Sequence, residues 1–278
     1  MNDFVWLILI AGGLISGVIA GLLGIGGGII TIPLLVTLGY TPVQAIATSS
    51  LAIVITSISG SLQNLWMGYF DFKRVIYLGI PAFLTTGVGV YFANKIPSYI
   101  ILFTFGIILL ANVYLIELRK QLILKQAENT APAFNPLLSK IGTGGAAGIL
   151  AGFFGLGGGT IMVPLQMLLL GEEIKVAIQT SLGVIVITAL AACTGHTLEG
   201  NILFVQGLVL GFGGLLGVQM STRTLPKLPD SVVSLALRIF FGLLSIYVFG
   251  EAWINYQVIA AKPSINESLS VFYSLFIG

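Results

Sequence analysis

Ten apolar runs follow one another along this chain, at residues 5–22, 29–39, 42–67, 75–94, 98–117, 141–154, 160–170, 175–196, 201–221 and 231–250. A helix needs about 20 apolar residues to cross the hydrocarbon of a bilayer, and about half of that serves for one arm of a broken helix. In lipid every backbone N–H and C=O must find its partner within the protein, and runs of this length satisfy that as helices. Charge points the same way: 8% of the residues are charged, against about 25% in an ordinary soluble domain. So little charge cannot cover a water-facing surface. The expectation is an all-α polytopic membrane protein.

The glycines of the chain repeat. Gly13, Gly17, Gly21, Gly24 and Gly28 have counterparts at Gly144, Gly148, Gly152, Gly155 and Gly159, each 131 residues further on. Gly26, Gly27 and Pro33 match Gly157, Gly158 and Pro164 at the same offset. One extra residue later, Thr48-Ser49 matches Thr180-Ser181 and Gly68 matches Gly200. So many matches at one spacing mark a duplication, and the duplication sets the architecture. Each half holds five helical segments. An odd number starts the second half on the opposite side of the membrane. The expected fold is therefore two inverted-topology repeats related by a pseudo-two-fold axis in the membrane plane. Each repeat opens with a helical hairpin broken at glycine. Secondary transporters recur to this design, with the binding site near the midplane.

The repeats are read as residues 1–117 and 140–250, joined by a cytoplasmic linker at 118–139. A tail at 251–278 carries a last apolar patch, Val271–Ile277, that suits the membrane interface. With the N-terminus outside, the cytoplasmic side collects Lys73, Arg74, Arg119, Lys120, Lys125, Lys140, Lys175, Arg223 and Lys227. The outside holds only Lys95 and Lys262. This positive-inside bias predicts an N-out, multi-pass protein of a bacterial-type inner membrane. Met1-Asn2-Asp3 lacks a basic n-region, so the first run reads as a helix and not as a cleavable signal. A net charge of +2 gives no footprint for nucleic acid. Cys193 is the one cysteine and His196 the one histidine, so neither a disulfide within the chain nor a metal cluster is expected, and no cofactor is implied.

The breaks read Gly24-Ile25-Gly26-Gly27-Gly28 and Gly155-Leu156-Gly157-Gly158-Gly159. After each, a short helix begins whose first amides lack partners within the helix. Those donors and the positive helix end can hold an anion, with no lysine needed. Gly24, Gly26, Gly27, Gly28, Gly155, Gly157, Gly158 and Gly159 are therefore candidate substrate contacts. The other glycines of the series, at four-residue spacing, read as helix–helix packing. Thr48, Ser49, Thr180 and Ser181 carry hydroxyls that can donate to an oxyanion; the competing reading is a helix cap or a bond to the preceding turn. Gln166, where the first half has Leu35, is a further candidate, as are Gln63, Asn64 and its counterpart His196. Arg238 lies inside a membrane segment, which marks a residue with a function or a partner, and its partner is left open. No acid lies mid-helix, so no carboxylate proton relay is evident.

These residues resemble the TauE/SafE family of permeases, the sulfite exporter family. The resemblance runs from about Gly13 to Phe249. It rests on the duplicated G-x-x-G-x-G-G-G at Gly21–Gly28 and Gly152–Gly159, the prolines five residues on, the Thr-Ser pairs and the Gly68-Tyr69-Phe70-Asp71 turn. In the second half Gly200-Asn201-Ile202-Leu203 lacks the Asp. The resemblance implies alternating-access export of a small sulfur anion, such as sulfite or an organosulfonate, and leaves a homodimer open. A permease for another small anion and a membrane scaffold are the alternatives. Catalytic residues are not expected, because motifs such as H-E-x-x-H, G-x-S-x-G and a Walker loop are absent from the sequence.

Overall fold

The computed structural model describes residues 3–93, 95–96, 98–125 and 135–276. They form ten α-helices: α1 (Asp3–Leu23), α2 (Gly28–Thr37), α3 (Pro42–Trp66), α4 (Phe72–Ala93), α5 (Ser98–Lys125), α6 (Pro136–Phe154), α7 (Gly159–Leu169), α8 (Ile174–Leu198), α9 (Phe204–Thr224) and α10 (Asp230–Phe276). A 3-10 turn, Leu225–Lys227, links the last two. Eight of the helices are long and apolar enough to cross a membrane, and α2 and α7 are the short ones. Each apolar run of the sequence is thus one helix. Two helices outrun their apolar stretch. α5 continues past 117 to Lys125, and α10 continues past 250 to Phe276. Apolarity marks what lipid accepts, whereas Leu, Arg, Lys and Gln in Leu118–Lys125 are good helix formers outside it as well. Of the expected linker, residues 126–134 lie outside the described residues, as do Met1, Asn2 and the last two residues of the tail.

Local chemistry sets the helix ends. Thr41 and Gln44 form a reciprocal capping box ahead of α3, with Pro42 at the first helical position. Asn135 caps α6 through the amide of Leu137, again before a proline. Asp71 caps α4 by accepting from the Arg74 amide at 3.1 Å. In the second half Leu203 occupies the place of Asp71 and has no such side chain. Its amide donates instead to Thr48 Oγ1 at 3.0 Å.

Equivalent positions of the two halves make equivalent contacts. α1 lies against α9 so closely that a Cβ on Gly13 or Gly17 would stand 2.2 or 2.1 Å from the carbonyl oxygens of Leu210 and Gly214. α6 lies against α4 in the same way, with Gly144 and Gly148 at 2.2 and 2.1 Å from the oxygens of Leu78 and Ala82. Leu210 and Gly214 are 132 residues beyond Leu78 and Ala82, so the two seams match position for position. Close backbone approach of this kind is what small residues at four-residue spacing provide in membrane helices. α3 and α8 sit inside these pairs, and α5 and α10 cross each other, with Phe103 against Phe249 and Tyr99 against Tyr256.

Arg238 of α10 bonds the Glu117 carboxylate of α5. Asp230 is instead the partner of Lys175, at 3.1 Å. The two ends of the molecule are fastened differently. Arg74 bridges to Glu172 at 3.1 Å. At the equivalent positions of the other end, Gln206 donates to the Tyr40 hydroxyl at 3.2 Å. The outer faces expose large apolar side chains along their length, and exposed Trp66, Tyr69 and Phe72 at one end and Tyr91, Trp253 and Tyr256 at the other suit the two interfaces of a bilayer.

Candidate functional site

The glycine breaks meet at the centre of the fold. Between α1 and α2, Gly24, Gly26 and Gly27 take φ of 69°, 77° and 82°. Between α6 and α7, Gly155, Gly157 and Gly158 take 63°, 75° and 76°. A side chain in that left-handed region costs roughly 1–2 kcal/mol per residue, which is why three glycines recur in each loop. Gly28 and Gly159, the next residues, have ordinary helical φ and are needed for space. A Cβ on Gly28 would lie 2.9 Å from the Gly155 oxygen, and one on Gly159 would lie 2.1 Å from the Gly24 oxygen. Each loop therefore presses on the backbone of the other.

Hydroxyls hold this contact together. Ser181 Oγ donates to Gly24 O at 2.7 Å, across to the other half. Ser49 Oγ reaches Gly155 O at 3.5 Å in the reciprocal direction and shares a 2.7 Å hydrogen bond with Thr31. Ser16 Oγ donates to Gly27 O at 2.6 Å, and Thr188 Oγ1 to Gly157 O at 2.9 Å. The loop carbonyls are thus satisfied by side chains. The Ile30 and Met162 amides bond back to Gly27 and Gly158. The amides ahead of them open α2 and α7 and have no carbonyl one turn back in their own helix. Ile53 and Ile185, another equivalent pair, are buried beside the loops. In this conformation the centre is filled by the loops and the buried side chains beside them.

The residues expected to meet a substrate divide into groups. The eight glycines with Ser49 and Ser181 come together, the two serines bonding loop carbonyls. Thr48 faces the α8–α9 side of its helix and secures Leu203. Thr180 is buried at 5% exposure. Gln166 donates to Ala177 O at 3.3 Å, tying α7 to α8. Gln63 and Asn64 do not join the centre. Asn64 lies fifteen residues beyond Ser49, about 22 Å along α3. His196 is as far beyond Ser181, at the opposite end of the molecule. Both are sealed, with Asn64 0% and His196 1% exposed; the Asn64 side chain has no hydrogen-bond partner, and the His196 ring lies against the Gly152 backbone. Gln63 accepts from Arg223 Nε at 3.1 Å. Sequence reasoning missed Ser16, Thr31 and Thr188 at the centre. Thr188 had a signal: it follows Ser181 by seven residues, on the same helix face. Among the described residues no three His, Cys, Asp or Glu side chains gather as a metal site.

One crevice approaches the centre, with a cavity volume of about 70 Å³. Its floor is Ile29, Phe154 and Leu156, its walls come from α2, α3, α5 and α10, and Tyr247, Glu251 and Asn255 mark its rim. The equivalent positions in the other half are more deeply buried. Ile32, Pro33, Val36 and Pro42 along the crevice are half-buried, whereas their counterparts Val163, Pro164, Met167 and Ile174 are buried. That side also carries the Lys175 brace, which reaches both Asp230 and the Pro226 oxygen. The position equivalent to Lys175 is Val43, which can form no ion pair.

The chain is 30% identical over 272 residues to the probable membrane transporter protein YunE of Bacillus subtilis, covering 87% of this chain and 97% of that protein. It is 29% identical over 254 residues to a probable membrane transporter protein of Xylella fastidiosa, covering 87% and 94%. A shorter stretch of 107 residues is 30% identical to the sulfite exporter TauE/SafE family protein 1 of Arabidopsis thaliana, 37% of this chain and 24% of that one. No solved structure matches the chain. The sequence model described as "Sulfite exporter TauE/SafE" matches residues 9–250. With nearly all of its helical body covered by that match, this multi-pass membrane protein belongs to the TauE/SafE family of membrane transporters.

Proposed function

We propose that the protein exports a small sulfur-containing anion, sulfite or an organosulfonate, across the inner membrane by alternating access of two inverted repeats. The observation that carries this reading is the meeting of the two glycine loops. Each ends one broken helix and starts another, and each is bonded by a serine from the other half. A scaffold has no need of irregular backbone buried at mid-depth. A transporter does, because the freed amides of α2 and α7 and their positive helix ends suit an anion.

The loops are in contact in this conformation, so the anion site forms when they part. The difference between the two sides supports that step. The α2 side is loosened into a crevice while the α7 side is more deeply buried and braced. A shift of one hairpin against the other exchanges these conditions. On the positive-inside reading the braced end is cytoplasmic and the N-terminus is outside.

The test is flux. Proteoliposomes loaded with sulfite, taurine, thiosulfate or sulfate should release at least one sulfur oxyanion faster than empty liposomes. Thermal shift on the purified protein should find the same anion, because a ligand at 100 times its Kd stabilises by about 2.7 kcal/mol. Neither flux nor stabilisation by any sulfur oxyanion would sink the proposal. Sulfite titrates near neutral pH, so a proton can travel on the substrate; flux indifferent to an imposed pH gradient would refute that coupling.

A further inference from the structure

The end of the molecule where α3 and α9 finish carries polar groups that the helix packing does not use. Arg223, in the last turn of α9, is exposed and reaches across to α3, where its Nε donates to Gln63 Oε1 at 3.1 Å. The ion pairs among the described residues use Arg74, Lys175 and Arg238, and Arg223 takes part in none of them. With Nε bonded to Gln63, the two terminal nitrogens of the guanidinium form the end-on fork that matches two oxygens of an oxyanion. Next to Gln63, Asn64 is fully buried, and both polar atoms of its side chain lack a partner. Ser61, one turn earlier on the same face, is also buried with an unpartnered hydroxyl. A buried carboxamide left unpaired is costly, which calls for a compensating ligand.

The equivalent positions at the opposite end carry neither a cation nor a carboxamide. The positions equivalent to Arg223, Gln63, Asn64 and Ser61 are Tyr91, Gly195, His196 and Cys193. The difference extends up the helix. Ser50, Ser57 and Asn64 stand seven residues apart, on one face of α3, and lead from this end towards the level of Ser49; their counterparts on α8 are Leu182, Ala189 and His196. One end of an otherwise duplicated molecule therefore has a free cation, an unpaired carboxamide and a hydroxylated helix face.

We infer that Arg223, Gln63, Asn64 and Ser61 form an oxyanion capture site at the α3–α9 end, built from both repeats and present at one end of the molecule only. The guanidinium takes two oxygens of the anion and the Asn64 and Ser61 donors take a third. The inference rests on the anion-transport reading above and adds direction to it: the anion is collected at the end that carries Arg223 and leaves at the end that does not. The same chemistry would hold a lipid phosphate, so the test separates soluble anion from headgroup.

The full chain, purified in phosphate-free maltoside and separately placed in phosphatidylcholine nanodiscs, is titrated calorimetrically with sodium sulfite. Arg223→Gln is expected to weaken binding 10- to 100-fold in both media, with Arg223→Lys between it and the wild type. Asn64→Leu is expected to weaken sulfite binding while raising the thermal midpoint, a combination that a purely structural asparagine would not give. Sulfite bound equally by wild type, Arg223→Gln and Asn64→Leu would overturn the capture site and leave the transport proposal standing. A wild type that binds no sulfur oxyanion would instead remove the transport proposal on which this site rests. Loss of copurifying phospholipid from Arg223→Gln, with unchanged sulfite affinity, would reassign the group to a lipid headgroup and overturn the inference.

Discussion

Gly159→Ala tests the contact at the centre of the fold. The added methyl would stand 2.1 Å from the Gly24 oxygen and 2.9 Å from the Ile25 Cα, both backbone atoms of the opposite loop. Ordinary contact begins at 3.4 Å, so the loops must part by about 1.3 Å. Overpacking of this kind costs typically 1–3 kcal/mol. The Gly24 oxygen is also the acceptor of Ser181 at 2.7 Å, and displacing it forfeits a buried hydrogen bond, about 1 kcal/mol. Alanine returns up to about 1 kcal/mol of helix propensity. The expected net loss is about 2 kcal/mol, read by equilibrium unfolding in mixed micelles. Gly28→Ala is the matched substitution in the other half. There the methyl lies 2.9 Å from the Gly155 oxygen, so a smaller movement suffices and the loss should be smaller. Gly242→Ala is the control, with open space around the added methyl, and it should stabilise by about 0.5–1 kcal/mol. Combining Gly159→Ala with Ser181→Ala should give less than the sum of the two, because both act on one carbonyl. Additive losses, or a Gly159→Ala as benign as Gly242→Ala, would refute the account of two loops in direct contact.

Three further outcomes follow from the same geometry. Glu117→Gln leaves the Arg238 guanidinium unpaired at the edge of the membrane and should destabilise by about 1–2 kcal/mol, with Glu117→Gln/Arg238→Gln recovering most of it in the same unfolding assay. His196→Leu removes a buried ring that lies against the Gly152 backbone and should leave sulfite flux in proteoliposomes unchanged; a large loss of flux would return His196 to the transport path. Lys175→Met removes the brace to Asp230 and the Pro226 oxygen. In a Cys193→Ser background, Met167→Cys should then react faster with a water-soluble maleimide than it does with Lys175 intact.

Helices and glycine loops were legible in the sequence for a physical reason. Apolar length reports directly on what a bilayer accepts, and positive φ reports on glycine. Side-chain partners were not legible. Arg238 and Glu117 stand 121 residues apart in the chain, and only the crossing of α5 and α10 brings them together. Of the hydroxyls expected to serve an anion, Ser49 and Ser181 stand beside the glycine loops and bond carbonyls of the opposite loop. Nothing local to a Thr-Ser pair reveals that, because the acceptor belongs to the other half. Gln63, Asn64 and His196 carry polarity that reads as a site but lies some two-thirds of a bilayer away from the loops.

The pattern of what the two halves share is itself informative. Gly13 and Gly17 against α9, and Gly144 and Gly148 against α4, face backbone oxygens at 2.1–2.2 Å from any added Cβ, where no larger side chain fits. Such positions match between halves because the same backbone contact is made twice. The ends do not match: Arg74 and Glu172 correspond to Gln206 and Tyr40, Lys175 to Val43, and Arg223 to Tyr91. These positions meet side-chain partners that differ between the two ends, and on the inverted-repeat reading the two ends face different compartments. A molecule whose halves were fully equivalent would have equivalent energies for its two access states, and its two mouths would treat the anion alike. Charge placed at one end alone changes both. On the proposed transport cycle, the Lys175 brace would stabilise closure on its own side and Arg223 would favour anion capture there. On the proposed function, the departures from symmetry, more than the symmetric glycines, are therefore where a preferred direction of transport would be encoded.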